Sequence, residues 1–349
     1  MDGVPHRRRP RRPLAVALLA VASMGLAACA ATSPASSPAP WASTSASASK
    51  AGSAPASKAA AAPTSPSAAA TQAVLSASHP CVGAPVPAHW DHVVWIVMEN
   101  KAAGDVLGSP SAPGETALAH ACASASDYRA YTHPSLPNYL ALTSGSAHGV
   151  RDDAGPAAHP ISGPSLFSEL AGAGSSWGVY AESMPSPCFG TSAGTYAVKH
   201  NPAVYYTNLR STCARYDVPL GTPTSGTFVD GLRTGGLPAF SLVVPNTCND
   251  THDCPVATGD AWLTTWLRTI LDSPTYRAGR TAVFITWDED DSSSGNRVAL
   301  IAVAPSVRPG TVTAGAFGHL SLLHTTQQML GLDPLLAASA PSMRAALHL

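Results

Sequence analysis

A net excess of charge of either sign is missing from this chain. The formal net charge is -1, so nothing suggests a surface built to hold a nucleic acid or another polyanion, and few basic residues lie near the motifs described below. No CxxC pair occurs among the seven cysteines, so the usual spacing of a structural zinc site is absent. There is no internal repeat and no heptad pattern, so nothing argues for obligate assembly, and a monomer is expected. From residue 30 to 78 large apolar side chains are almost absent, in "ATSPASSPAPWASTSASASKAGSAPASK" and its continuation. Such a segment cannot bury enough surface to offset its ordering entropy, and it reads as a disordered linker.

What is present begins with an export layout. The basic cluster "HRRRPRRP" precedes the apolar stretch "LAVALLAVASMGLAA" and then Cys29. "LAAC" at 26 to 29 resembles a lipobox, which predicts a signal peptide over 1–29, a lipid on Cys29 and a membrane anchor outside the cytoplasm; an ordinary secretory signal ending among the alanines is the alternative. The folded domain is expected over 79–349, starting near Cys81, and a composition that is 45% hydrophobic can fill its core. Cys81, Cys122, Cys188, Cys213, Cys248 and Cys254 form an even set in an exported domain and suggest disulfides. Sequence leaves many pairings open. Proximity favours Cys248 with Cys254 and Cys188 with Cys213, leaving Cys81 for Cys122.

Apolar runs at 92–98, 176–181, 239–244, 281–287 and 298–304 read as strands covered on both faces. Helical patterns fall between them at 136–143, 164–174, 259–273 and 319–330. The alternation predicts an α/β fold, a mostly parallel central sheet with helices on both faces. Ligands of such sheets bind at the carboxyl ends of the strands.

Those ends carry polar clusters. Glu99 and Asn100 follow the first strand, and the acidic run Asp288, Glu289, Asp290, Asp291 follows the fourth. Converging on one cation, these residues offer oxygen ligands suited to a hard or borderline divalent ion. Taken singly, each has a plainer reading as a turn or a solvated loop. In "YTHPSLPNYLALTSG" (131–145), Ser135 precedes a helix; it is either an N-cap or a nucleophile at a site where exposed amides favour a phosphate. Several neighbours read more simply. His133 suits a loop, Asp152 and Asp153 a turn, Trp262 and Trp266 a helix face packed on the core, and His324 a helix surface; His148 is at least as readily structural as catalytic.

In order along residues 90–333, "HVVWIVMENKAAGDVLG", "THPSLPNYLALTSGSAHGV", "PNTCNDTHDC" with "GDAWL", "ITWDED" and "GHLSLLHTTQQMLGL" resemble the bacterial phosphoesterase family. That family includes secreted acid phosphatases, phosphatidylinositol-3-phosphatase-like proteins and phospholipases C, within the alkaline phosphatase superfamily. The resemblance implies an alkaline-phosphatase-like sandwich. It makes Glu99, Asn100, Asp288 and Glu289 metal ligands and Ser135 the metal-bound nucleophile. It puts His319 near the metal or phosphate, and Asp250, His252 and Asp260 in a block that supplies a second metal or contacts to the phosphate and leaving group. "NDTHD" departs from the Asp-x-x-x-His pair of two-zinc relatives, so one metal is expected, of the Ca, Mg, Mn or Zn class.

The implied chemistry is attack of Ser135 on phosphorus to give a phosphoserine, with helix amides and Asn138 cradling the transferring group and His252 or His319 protonating the leaving oxygen. An exported phosphomonoesterase is expected, its substrate a phosphate ester and possibly a phospholipid or phosphoinositide. A phospholipase C-type phosphodiesterase and a non-enzymatic ligand-binding lipoprotein are the competing readings. The chain ends soon after "HTTQQMLGL", where relatives of the phospholipase type continue into further domains, and this favours the phosphatase.

Overall fold

A computed structural model describes residues 75–334 and 337–349. The expected signal peptide, Cys29 and all but the end of the linker lie outside the described residues. Eight strands form the central sheet: β1 (His92–Met98), β2 (Ala123–Ala125), β4 (Trp177–Ala181), β5 (Asp217–Pro219), β6 (Phe240–Val244), β7 (Thr281–Trp287), β8 (Leu300–Val303) and β9 (Thr311–Thr313). A parallel pair, β3 (Tyr128–Arg129) with β10 (Phe317–Gly318), stands apart. The sheet order is β5-β4-β6-β1-β7-β8-β2-β9. From β5 to β7 every pairing is parallel, and β8 runs antiparallel to both β7 and β2. All five expected strands are present. The short strands β2, β5 and β9 were not legible, because three residues are too few to set up an apolar period.

Six longer helices flank the sheet: α1 (Pro113–Ala121), α2 (Ser135–Ser144), α3 (Leu166–Gly172), α4 (Thr227–Thr234), α5 (Val256–Leu271) and α6 (His319–Met329). Successive side chains of a strand point to opposite faces, and β4 shows both faces covered. Trp177 packs on Phe167 of α3, while Tyr180 packs on Phe228 of α4. Full burial of every residue of β7 follows from the same two-sided cover. On the α3 face, Trp95 donates from Nε1 to Thr326 Oγ1 of α6 at 3.0 Å. On the other, Trp266 is buried against Phe228, as expected for core packing. Trp262 is only partly buried and donates to Glu182 Oε1. Among the described residues no helix is long and apolar enough to cross a membrane.

Three disulfides close the chain on itself: Cys81–Cys122, Cys188–Cys213 and Cys248–Cys254. These are the pairs that proximity favours.

Candidate active site

Four adjacent parallel strands, β4, β6, β1 and β7, end on the same side of the sheet, and their following residues build the site. Met98 of β1 stands opposite Trp287 of β7, and Asp288 N donates to Met98 O at 2.9 Å. Register alone therefore brings Glu99 beside Asp288. Asn100, in the left-handed region at φ 56, turns the chain so that its amide donates to Asp288 Oδ1 at 3.1 Å. The loop after β6 supplies Asp250, whose carbonyl accepts from Glu99 N at 2.8 Å. Thr251 donates from Oγ1 to Glu99 O at 2.7 Å.

Ser135 opens α2 and is fully buried. The cap residue is Pro134, with no side-chain capping hydrogen bond, so Ser135 is not spent as an N-cap. Its Oγ donates to Glu99 Oε2 at 3.0 Å, and Lys199 Nζ donates to that Oγ at 3.3 Å. Tyr139, one helical turn on, donates to Glu99 Oε1 at 2.7 Å. The amide that follows Ser135, Leu136 N, donates to Asp153 Oδ1 at 2.9 Å, so this amide is already engaged.

The long connection after β4 brings in two cations, Lys199 and His200. Lys199 Nζ lies 3.1 Å from Asp153 Oδ2 and 3.4 Å from His252 Nε2. Buried His200 lies between carboxylates, Nε2 at 3.2 Å from Glu99 Oε2 and Nδ1 at 3.3 Å from Asp250 Oδ2. His252 Nδ1 is 2.7 Å from Asp253 Oδ1, and its side chain remains partly exposed at the mouth. His133, also at the mouth, reaches Glu289 Oε2 and Asp290 Oδ1, both at 3.2 Å.

Glu99, Asp250, Asp288, Glu289 and Asp290 are all buried here, a concentration of negative charge that water cannot screen. Burial pushes Glu99 upward, but the adjacent imidazolium of His200 and the Tyr139 hydroxyl outweigh it and hold the carboxyl down at about 2. His200 is driven down by burial and up, to about 9, by Glu99 and Asp250. Asp288 is raised well above the carboxylate range by burial and by the charges of Glu99 and Glu289. Burial and Glu99 push Glu289 up to about 8. Asp288 Oδ2 and Asp250 Oδ2 have no hydrogen-bond partner among the described residues. Glu99, His200 and Asp250 together offer ligand atoms close enough to share one ion.

Ser135, Glu99, Asn100, Asp288, Glu289, Asp250 and His252 thus converge. Three expected site residues are placed differently. Asn138 does not face the mouth with free polar atoms: Oδ1 accepts from Tyr131 N and Thr132 N, and Nδ2 donates to Thr132 O, Pro134 O and Glu289 Oε2. It secures the loop before Ser135 and orients Glu289. His319 is buried with both nitrogens engaged, Nε2 by Asp288 O at 2.7 Å and Nδ1 by Tyr128 OH at 3.2 Å. Burial lowers it to about 4, so it braces Asp288 from behind. Asp260 lies outside the cluster and accepts from Gly114 N and Glu115 N at the start of α1, where an anion complements the helix N-terminus.

Sequence reasoning missed Lys199 and His200, and read His133 as a loop residue and Asp153 as part of a turn. "VKHNP" sits in a run of short 3-10 turns, with no strand end to draw attention to it. His148 donates or accepts with Ser144 Oγ at 2.8 Å and is structural in its contacts.

Residues 109–333, well over half of the chain, match the phosphoesterase family; the match begins after Glu99 and Asn100. Over 248 residues the chain is 37% identical to a phosphatidylinositol-3-phosphatase of Mycobacterium tuberculosis, covering 69% of this chain and 77% of that protein. It is 28% identical to an acid phosphatase of Aspergillus fumigatus over 60% of this chain and 48% of that protein, and so spans about half of that relative's length. A structure of an alkaline phosphatase superfamily protein from Vibrio parahaemolyticus shares the fold, with TM-score 0.51, 13% identity and 79% of each chain covered. With a buried serine at the carboxyl ends of the central strands and this match along its length, the chain belongs to the phosphoesterase family and is a phosphoric ester hydrolase.

Proposed function

We propose that the protein is an exported, metal-dependent phosphomonoesterase that works through a phosphoserine at Ser135. The observation that carries this reading is the buried Ser135 hydroxyl, hydrogen-bonded to Glu99 Oε2 at 3.0 Å and to Lys199 Nζ at 3.3 Å. A hydroxyl used only for packing or capping has no need of an anion and a cation on either side.

A divalent ion fits the residues present. The orphaned Asp288 Oδ2 and the raised carboxyls of Asp288 and Glu289 mark negative charge in excess of what Lys199 and His200 balance. Glu99, Asn100, Ser135, Asp288 and Glu289 would hold it, an oxygen-rich set of the kind hard cations take. When bound, such an ion lowers the pKa of a hydroxyl and neutralises charge on phosphoryl oxygens. Asp250 with His200 offers further ligand atoms at the inner edge.

Glu99 orients Ser135. Held at about 2, it leaves the proton on the resting hydroxyl; its hydrogen bond fixes Oγ for attack, and the Oγ proton passes to Glu99 Oε2 as the bond to phosphorus forms. As the Oγ–phosphorus bond forms, the bond to the leaving oxygen breaks, and His252 at the mouth gives that oxygen a proton. Water then attacks phosphorus with His252 taking its proton, the Oγ–phosphorus bond breaks as Oγ takes back the proton from Glu99, and inorganic phosphate leaves. His319 and Asn138 act through Asp288 and Glu289, which they hold in place.

Export rests on the leader with Cys29, and three disulfides accord with an oxidising compartment. Lipid attachment at Cys29 would hold the domain at a membrane by the linker. The similarity to a phosphatidylinositol-3-phosphatase makes a phosphoinositide headgroup a substrate to test first. The test is phosphate release from p-nitrophenyl phosphate and from phosphoinositides, with and without a chelator. Chelator-sensitive release that returns on adding a divalent ion is expected. Full activity after exhaustive chelation would refute the metal.

A further inference from the structure

A phosphate monoester carries nearly two negative charges at neutral pH, whereas a diester carries one and replaces a charge-bearing oxygen by an ester oxygen. A pocket crowded with carboxylates repels the second charge unless a cation stands beside the nucleophile. Apart from His252, which serves the leaving oxygen, the site histidines are poorly placed for this. His200 lies between Glu99 and Asp250, and His133 between Glu289 and Asp290.

Lys199 is placed differently. Its Nζ lies 3.3 Å from Ser135 Oγ, 3.1 Å from Asp153 Oδ2 and 3.4 Å from His252 Nε2, and its side chain is 20% exposed, so it borders the mouth. Asp153 is tied in turn to Leu136 N at 2.9 Å. The ammonium is thus fixed to the helix turn that carries the nucleophile. Phosphorus must approach Oγ to about 3–3.5 Å before attack. An ammonium 3.3 Å from that Oγ is then within hydrogen-bond reach of a phosphoryl oxygen. When Oγ turns to phosphorus, the N–H that pointed at it is released to that oxygen.

We propose that Lys199, tethered by Asp153, sets selectivity for phosphate monoesters by binding the charged oxygen that a diester lacks. This inference rests on the hydrolase reading above. It is tested with kcat/KM for p-nitrophenyl phosphate and bis-p-nitrophenyl phosphate on the wild-type protein, Lys199→Met, Lys199→Arg and Asp153→Asn, each checked for a cooperative thermal transition. Removing one preorganised charge donor costs on the order of 100-fold. Lys199→Met is expected to lower the monoester value by about that factor and the diester value by less than about 10-fold. Lys199→Arg should retain most of the monoester preference. Asp153→Asn, which leaves the ammonium but loosens its tether, should shift the ratio the same way by a smaller factor. Equal losses on both esters in Lys199→Met, or an unchanged ratio in Asp153→Asn should the lysine variant not fold, would overturn the proposal. A wild-type protein inert on both esters refutes the hydrolase reading instead. Inorganic phosphate binding by calorimetry then decides on Lys199 alone: weakened binding in Lys199→Met supports its role, and unchanged binding overturns it.

Discussion

Ser135 and Glu99, 36 residues apart in sequence, are joined by a 3.0 Å hydrogen bond between two side chains that water does not reach. Glu99 is fixed by the end of β1 and Ser135 by the start of α2, so neither group depends on a flexible side chain to find the other. The same carboxylate also receives Tyr139 and adjoins His200. The Ser135 hydroxyl is thus held at the centre of a charged shell, and several consequences can be measured.

Two disulfides close the loops that carry the site. Cys188–Cys213 brackets Lys199 and His200, and Cys248–Cys254 brackets Asp250, Thr251 and His252. The third, Cys81–Cys122, ties the start of the domain to the end of α1. Double Cys→Ser variants of any pair should lose stability, with about 3 kcal/mol expected for a loop of the Cys188–Cys213 size. Only the first two should also lose kcat, by about 10-fold or more, measured below the melting temperature. A Cys81/Cys122 variant with the same kcat loss would mean the effect is general loosening.

Glu115 is buried, and neither of its carboxylate oxygens has a hydrogen-bond partner among the described residues. Burial and the nearby charge of Asp260 push it from its ordinary 4.5 to about 8. Between those values the native state holds a proton that the unfolded chain has released, so stability falls as pH rises through the window. Glu115→Gln removes that fall. Urea midpoints at pH 5 and pH 8 should separate, the variant gaining on the order of 2–3 kcal/mol relative to wild type at the higher pH. Parallel profiles would contradict the assignment.

Gly259, in α5, leaves room for the loop after β6. A Cβ there would lie 2.3 Å from Thr251 Cγ2 and 3.1 Å from Asn249 O. Thr251 is itself held at φ 80, with Oγ1 on the Glu99 carbonyl. Alanine gains about 1 kcal/mol of helix propensity, but overpacking costs about 1–3 kcal/mol, and the strain falls on the loop that carries Asp250 and His252. Gly259→Ala should therefore lower both Tm and kcat. A rise in Tm with unchanged kcat would show that the loop yields freely.

The parts of the site that were legible in the sequence are those fixed by short-range order. The tips of β1 and β7 stand out because a continuous apolar run ends abruptly in Glu99 or Asp288, and Ser135 because prolines flank it before a helical run. Lys199, His200 and Asp153 were not legible: they come from irregular connections, and only the tertiary path carries them to Ser135. Asp260 misled because a carboxylate in a helix near "NDTHD" looks like part of the site, while its partners are amides roughly 145 residues earlier. Asn138 and His319 belong to the site by contact, but their hydrogen-bonding capacity is taken up by the loop before Ser135 and Glu289 in the one case and by Tyr128 and the Asp288 carbonyl in the other, which no sequence pattern reveals.

The most direct test of the account is acid quenching of the protein during turnover of a phosphate monoester, followed by peptide mapping by mass spectrometry. A phosphoryl group on the peptide containing Ser135, formed at the rate of turnover and absent in Ser135→Ala together with activity, is the predicted result. A folded Ser135→Ala protein that still hydrolyses the ester, or a label on a different residue, would contradict it.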